Sequence, residues 1–222
     1  EVIAFEKDFT GDEVDIPADL EKYQTVNGMY YGANKVGTIA KSHVDAWGNT
    51  YIRITTNEND ATINSYADIS GGVVNGGGKI TYEVDLASLP DGTVGKTSFS
   101  SRDGNMKKLA IFVTTPEGDV LLYGSEKNKV GFVSREFTKF IFTLDVYANT
   151  LSAYDEYGFE LAKIAVSSPV NTMTLAEWFA TTTFAFNWQM DEGGGISFDD
   201  IKIYAGAYIT SHDVPENSNI IN

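Results

Sequence analysis

Residues 79–86 read KITYEVDL, and this stretch decides the fold class. Apolar and polar residues alternate strictly along it. The apolar set is Ile80, Tyr82, Val84 and Leu86, and the polar set is Lys79, Thr81, Glu83 and Asp85. Because successive side chains of a β-strand point to opposite faces, the pattern predicts a half-buried antiparallel strand.

The same two-residue period recurs along most of the chain. In YIRITTN, residues 51–57, we expect Ile52 and Ile54 to face inward and Tyr51 and Arg53 to face outward. Gly, Pro and Asn punctuate the chain between such segments, which is typical of hairpins. Further strand patterns occupy residues 2–9, 62–68, 108–115, 119–124, 139–147, 150–155, 159–166, 183–190 and 196–206. The fold class predicted is all-β, an antiparallel two-sheet sandwich.

One segment has a helical signal. Thr174 and Glu177 have the spacing of a capping box, which predicts one short helix that carries Trp178. The chain has 222 residues and no cysteine, so disulfides and thiolate chemistry are excluded. We expect a single sandwich module over residues 1–208, followed by a polar tail or linker over 209–222.

The net charge narrows the classes of partner. Sixteen Lys and Arg stand against 31 Asp and Glu, which gives a formal charge of −15 at pH 7. Such a charge repels phosphate backbones and anionic lipid, so nucleic acid is not an expected partner. No run reaches the roughly 18 apolar residues of a membrane span, so membrane insertion is not expected. The chain opens at Glu1 without a leader, and we expect a processed piece of a longer secreted or cell-surface product.

Two stretches and the opening strand carry a family resemblance. FTKFIFTLDVYANTLSAYDEYGFELAK, residues 137–163, resembles a hairpin of the concanavalin A-like lectin and glucanase superfamily, in its laminin-G-like and carbohydrate-binding-module branches. GGGISFDDIKIYAG, residues 193–206, resembles the closing strand of that superfamily, and VIAFEKDF resembles the first. The resemblance implies a jelly roll whose chain ends lie side by side.

The enzyme branch of that superfamily is expected to show an E-x-D-x-E strand, which places two carboxylates about 5–5.5 Å apart on one face. The sequence has no such strand. Its nearest acidic cluster is Asp155, Glu156 and Glu160, beside a predicted turn where acidic residues are usually solvated. His43 is the one histidine outside the tail, and we expect it in a surface loop.

The resemblance also implies a structural calcium ion that ties the first strand to the last. The matching positions are Glu6, Asp199 and Asp200, with backbone carbonyls to complete the shell. The alternative is that one aspartate faces solvent and the other accepts bonds from loop amides. No EF-hand pattern is present in the sequence.

Sugar binding requires an aromatic face to stack on a pyranose ring, with polar groups to bond its hydroxyls. Trp47 is the first candidate, because its loop precedes a strand whose outward residues are Tyr51 and Arg53. Trp188 shares its phase with apolar neighbours and is expected in the core. The remaining candidates are Trp178, Asn187, Gln189, Tyr30 and Tyr31.

The leading hypothesis is a non-catalytic carbohydrate-binding module of a bacterial extracellular protein, which binds polysaccharide beside neighbouring modules of a longer chain. The alternatives are an adhesion or spacer module that binds protein, and a diverged glycoside hydrolase or polysaccharide lyase.

Overall fold

The structure is a computed structural model that describes residues 2–57, 63–67, 78–102, 108–145, 147–166 and 194–208. Within these ranges every regular element is a β-strand. In the same ranges, no helix is long and apolar enough to span a membrane. The short helix predicted at Thr174, the expected core residue Trp188 and the tail predicted over 209–222 lie outside the described residues.

The strands follow one another along the chain with turns between them. They are β1 (Val2–Lys7), β2 (Asp15–Ile16), β3 (Lys22–Val26), β4 (Met29–Ala33), β5 (Thr38–Val44), β6 (Thr50–Thr56), β7 (Ile63–Tyr66), β8 (Lys79–Ala87), β9 (Thr97–Arg102), β10 (Lys108–Thr114), β11 (Asp119–Leu122), β12 (Lys129–Phe132), β13 (Thr138–Asp145), β14 (Thr150–Tyr154), β15 (Glu160–Ala165) and β16 (Gly195–Ala205).

Three antiparallel sheets make up two layers. A nine-stranded sheet has the spatial order β15-β14-β13-β8-β16-β6-β5-β2, with β1 also paired to β16. A four-stranded sheet, β12-β11-β10-β9, and a three-stranded sheet, β3-β4-β7, lie against it. The predicted all-β antiparallel sandwich is confirmed, and so is the expectation that the first and last strands lie side by side.

The core lies between the large sheet and the two smaller ones. Tyr82 of β8 meets Phe99 of β9 edge to face, with 6.0 Å between the ring centroids, and Phe112 of β10 stacks on Phe142 of β13 at 5.0 Å. The inward set predicted for residues 79–86 is buried as expected, and so are Ile52 and Ile54. The side of the nine-stranded sheet turned away from this core is called the outer face below.

A bulge in the closing strand shapes the outer face. β16 pairs with β6 over residues 195–198 and with β1 over 201–205, on the same edge. Between the two pairings lie Asp199 and Asp200, and Asp200 has a φ of 46°. Because a bulge adds an unpaired residue, it re-aims the side chains around it. The two aspartates therefore stand where the neighbouring strand changes from β6 to β1.

Candidate functional site

The turn between β5 and β6 carries the most exposed aromatic residue of the described chain. Asp45 closes it: its Oδ1 accepts hydrogen bonds from the backbone N–H groups of Trp47 at 2.8 Å and Asn49 at 2.9 Å. Gly48 supplies the positive φ, 82°, that the turn requires. The indole of Trp47 is 93% exposed. The turn therefore holds a large aromatic side chain in solvent on a defined backbone.

Tyr51 is the centre of a cluster on the outer face. Its ring stacks on His43 with 5.7 Å between centroids, and meets Phe137 edge to face at 5.2 Å. The guanidinium of Arg53 donates a hydrogen bond to the Tyr51 hydroxyl at 3.0 Å and lies over the same ring. The structure thus brings Tyr51 and Arg53 together, and a strand rise of about 3.3 Å per residue keeps the backbone of Trp47 within about 13 Å of that of Tyr51.

The surroundings of the His43 imidazole disfavour its charged form. Partial burial lowers its pKa, and the positive charges of Arg53 and Lys41 lower it further. His43 is on strand β5, where the sequence analysis expected a loop. The imidazole ring stacks on Tyr51 and adds aromatic area to the cluster.

Acidic residues line the outer face beside this cluster. Asp85 of β8 lies opposite Asp199 of β16 across the strand pair. Asn49 donates from Nδ2 to Oδ2 of Asp199 at 2.7 Å, which links the Trp47 turn to these residues. Lys139 of β13 lies 3.6 Å from Glu83 and 3.8 Å from Asp85. The centre of the outer face therefore offers carboxylates, an amide and an ammonium group.

Both facing aspartates hold protons more tightly than usual. Burial raises the pKa of Asp85 to about 7, and the neighbouring charges of Asp200 and Asp199 add to the shift while Lys139 opposes it. Burial also raises the pKa of Asp199 to about 6, against the hydrogen bond from Asn49. At neutral pH the pair is thus partly protonated, which allows it to donate as well as accept hydrogen bonds.

The sequence analysis missed Glu83, Asp85, Lys139 and Phe137 as site residues. A signal was present, because the alternation in residues 79–86 puts Glu83 and Asp85 on one face of a single strand. Their strand is central, between β13 and β16, and this position could not be read from the period alone. Glu83 is consequently only 8% exposed.

A cavity extends the outer-face cluster toward the sheet edge. It has a volume of about 330 Å³, and Phe137, Lys139, Tyr154 and Tyr157 contribute to its wall. Since Phe137 also touches Tyr51, aromatic side chains run from the Tyr51 cluster to the β14–β15 turn. We call this series of aromatic residues, with Trp47 at its other end, the aromatic strip.

The two tyrosines predicted to contact sugar, Tyr30 and Tyr31, lie on opposite faces of β4. Tyr31 is fully buried, so its prediction as a sugar-contacting residue is wrong. The reason is strand alternation, because β4 directs Met29, Tyr31 and Ala33 into the core. Burial, together with the charge of Asp12, raises the pKa of Tyr31. Tyr30 faces outward on the three-stranded sheet, away from the aromatic strip.

The predicted calcium ligands occupy the bulge and the strand beside it. Glu6 lies opposite Lys202 on the paired strands, and both oxygens of Asp199 accept hydrogen bonds, from Asn49 and from the Asp200 amide. In the part of the chain that the structure describes, no group of three or more acidic or histidine side chains could hold a metal ion. Side chains alone therefore do not make the site, and calcium binding stays a prediction that requires backbone oxygens as ligands.

The predicted sugar-binding residues Trp178, Asn187 and Gln189 lie outside the described residues. Of the other predicted positions, Trp47, Tyr51 and Arg53 share one region of the molecule.

Comparisons with known proteins bear on the fold. A scan against protein-family models finds no match, and a search of curated proteins finds none either. The globular domain of T. cruzi calreticulin superposes with a TM-score of 0.52, 11% identity, and coverage of 92% of this chain and 89% of that one. A carbohydrate esterase of the Shiga toxin-encoding bacteriophage phi24B gives 0.51, 15% identity, and coverage of 80% and 90%.

A third structure is a much longer chain. It contains the CBM22-1 and GH10 modules of a Clostridium thermocellum xylanase complexed with xylohexaose, and it gives a TM-score of 0.46 at 14% identity. The match covers 94% of this chain and 29% of the xylanase chain. At such identities the likeness concerns architecture alone. The antiparallel two-sheet sandwich that the sequence resemblance implies is confirmed as the fold.

Proposed function

We propose that this protein is a non-catalytic carbohydrate-binding module and that the aromatic strip is its binding surface. The observation that carries the proposal is the Trp47 turn, which holds a 93% exposed indole four residues before Tyr51 in the chain. Exposing an indole to water is unfavourable, and a rigid turn that does so provides a preformed stacking face. Sugar rings supply the matching apolar face, and their hydroxyls match the polar groups nearby.

The polar groups near Trp47 suit sugar hydroxyls. Arg53 and Asn49 donate hydrogen bonds, and Asp85 can accept or donate because its pKa is about 7. Tyr51 is held by Arg53 and His43, so little rotamer freedom is lost on binding. The net charge of −15 favours neutral polysaccharides over anionic ones. We extend the proposal to an extracellular bacterial protein in which neighbouring modules act on or hold the same polysaccharide.

A glycosidase reaction is disfavoured by the carboxylates themselves. Two-carboxylate hydrolysis needs one group free to attack or activate water and a second free to protonate the leaving oxygen. Asp199 is only 2% exposed and both of its oxygens already accept hydrogen bonds. Glu83 is buried as well and lies near Lys139. Asp85 is the least buried of these three carboxylates, with 17% of its side chain exposed, which suits recognition better than catalysis.

Affinity electrophoresis in gels that contain xylan, mixed-linkage β-glucan, galactomannan or laminarin tests the proposal. We expect at least one glycan to retard the protein, and Trp47→Ala to lower the affinity about tenfold or more, as for a buried aromatic anchor. Tyr147→Ala is the matched control, since it removes an exposed aromatic ring outside the strip and should migrate as wild type. Failure of every glycan to retard the protein would sink the binding proposal and favour the adhesion or spacer alternative.

Two further measurements complete the test. Release of reducing sugar or of unsaturated product from the same glycans, lost in Asp85→Asn, would establish a hydrolase or lyase instead. Calcium binding by Glu6, Asp199 and Asp200 predicts a higher melting temperature in calcium than in chelator, and Asp200→Asn should remove that difference. Equal melting temperatures in the two buffers contradict the metal.

A further inference from the structure

The outward face of the three-stranded sheet carries a stack of three tyrosines, one from each strand. Tyr30 of β4 is the middle ring. Its centroid lies 5.9 Å from that of Tyr23 on β3, with 25° between the planes, and 4.6 Å from that of Tyr66 on β7, with 33° between the planes. The neighbouring rings thus limit the freedom of Tyr30 from two sides.

A glycine in the middle of β4 makes room for this stack. A Cβ on Gly32 would lie 2.7 Å from the Tyr30 hydroxyl and 2.8 Å from the Tyr23 ring. Glycine inside a strand weakens the strand and often marks a place where another group approaches the backbone closely. Here Gly32 lets two tyrosine rings lie low over the sheet. Gly32 therefore makes β4 less stable but leaves the space that the rings of Tyr23 and Tyr30 occupy.

The same face is free of charge. Strand register places six residues on it: Tyr23, Thr25, Tyr30, Gly32, Asn64 and Tyr66. None of the six is Asp, Glu, Lys, Arg or His, although 21% of the chain is charged. The face offers aromatic area, phenolic hydroxyls, one amide and one aliphatic hydroxyl. A neutral ligand rich in hydroxyls matches that chemistry, whereas an ionic ligand finds no partner there.

Tyr23 is the accessible end of the stack. It is 66% exposed, so its ring contributes little buried area to the stability of the fold. Its strand is anchored nevertheless, since Gln24 accepts a hydrogen bond from the Asp15 amide at 2.9 Å and donates one to the Glu13 carbonyl at 3.1 Å. The ring is therefore both exposed and held on an ordered edge strand, which is the arrangement that a stacking site requires.

We propose that the tyrosine stack is a second glycan-binding surface, on the opposite side of the sandwich from the aromatic strip, and that it takes a neutral polysaccharide chain. The proposal rests on the proposed function, because it assigns the same class of ligand. Its consequence is that one module engages two chains. The outer face and the stack point away from each other, so one short oligosaccharide does not reach both.

Isothermal titration with xylohexaose, cellohexaose and laminarihexaose tests this proposal. We expect two oligosaccharides to bind each protein molecule. Trp47→Ala and Tyr23→Ala should each weaken one of the two sites about tenfold or more and leave the other unchanged, and the double variant should be weakened at both. Tyr23→Phe keeps the ring and should retain binding. Tyr147→Ala removes an exposed ring outside both surfaces, so it is the control and should match the wild-type protein.

The outcomes separate the two proposals. A stoichiometry of one that Trp47→Ala abolishes and Tyr23→Ala leaves unchanged overturns the stack and keeps the proposed function. A stoichiometry of one that responds only to Tyr23→Ala supports the stack and removes the aromatic strip. No heat with any of the three sugars, and no retardation in the polysaccharide gels, overturns both. Unchanged melting temperatures of the variants show that each loss is a loss of contact rather than of fold.

Discussion

The turns 45–49 and 155–159 have the same backbone and different surroundings. In each, the first aspartate accepts from the amides of the third and fifth residues through Oδ1, and a glycine in fourth place has a positive φ. The third residue is aromatic and exposed in both, Trp47 at 93% and Tyr157 at 60%. The five local residues are therefore sufficient to form the same turn at both places in the chain.

The fifth residue distinguishes the two turns. Asn49 reaches from the first turn to Asp199 in the centre of the outer face, whereas Phe159 in the second turn is exposed. A third hairpin, 115–119, uses the same backbone bonds with Thr115 in first place and Glu117 in third, so the aromatic residue is not needed for the turn. The turn fixes the position of its third residue, and contacts with neighbouring strands determine whether that residue is part of a site.

Removing the aspartate that closes each turn gives the largest expected difference. Asp45→Ala and Asp155→Ala should each lower the free energy of unfolding by about 1–2 kcal/mol, since two amides lose a charged acceptor. Glycan affinity should fall about tenfold in Asp45→Ala, because Trp47 loses its fixed position, and by less than about threefold in Asp155→Ala. Chemical denaturation and affinity electrophoresis measure the two quantities. Equal losses of affinity would mean that both turns are equally part of the site.

The glycines test whether the two backbones are equivalent. Gly48→Ala and Gly158→Ala force an L side chain into a positive φ, and each should cost about 1–2 kcal/mol of unfolding free energy. No atom lies within 4 Å of a Cβ at Gly48, so the cost there comes from the backbone alone. Thermal denaturation measures both variants. Costs that differ by more than the measurement error would show that the shared hydrogen bonds do not make the turns alike.

The raised pKa of Asp85 predicts that the free energy of unfolding depends on pH. The pKa of Asp85 is about 7 in the folded chain and near 3.8 when unfolded, so the folded state binds the extra proton between these values. The free energy of unfolding should therefore fall as pH rises from about 4 to about 7. Asp85→Asn should stabilise the protein by about 1 kcal/mol at pH 8, after discount for solvent screening, and leave stability unchanged at pH 4.

Denaturation with chelator present, at both pH values, measures this effect without interference from divalent metal. Lys139→Met is the matched comparison, because it removes the cation that opposes the shift and should steepen the loss of stability with pH. A variant Asp85→Asn that is less stable than wild type at pH 8 would show that the ionised carboxylate is favourable where it lies.

The smallest expected effect tests how far along the aromatic strip a bound glycan reaches. Tyr157→Trp enlarges the aromatic side chain at the far turn, next to the cavity that Phe137 also lines. If a polysaccharide chain runs along the whole strip, affinity for long chains should rise about two- to threefold, within the range of one added aromatic contact. Affinity for a disaccharide should stay the same. Calorimetry with short and long oligosaccharides of one glycan separates the two, and equal changes for both lengths contradict an extended site.

Sequence reasoning reached the two-layer architecture and part of the site. The alternation in residues 79–86 and 51–57 correctly assigned the buried face, because the period of a strand is a local property. It also singled out Trp47, Tyr51 and Arg53, which the structure brings into one region. It failed at Tyr31, since the phase of a five-residue strand between two turns was not recognised. It also missed Phe137, which lies just before β13, and Lys139, which lies at the start of β13. In the sheet, β13 is separated from β16 by β8, and this order is not visible in the sequence.

By itself, the sequence determined which residues alternate, where glycines permit positive φ, and that a strongly acidic chain without cysteine folds as antiparallel strands. Only the tertiary structure decided which strands become neighbours, and with that the meeting of Asp85 with Asp199, of Phe137 with Tyr51, and of the three tyrosines over Gly32. The physical reason is that the two properties depend on interactions over different distances along the chain. Side-chain direction follows from the nearest backbone dihedrals, whereas the pairing of strands far apart in the chain depends on packing of the whole core.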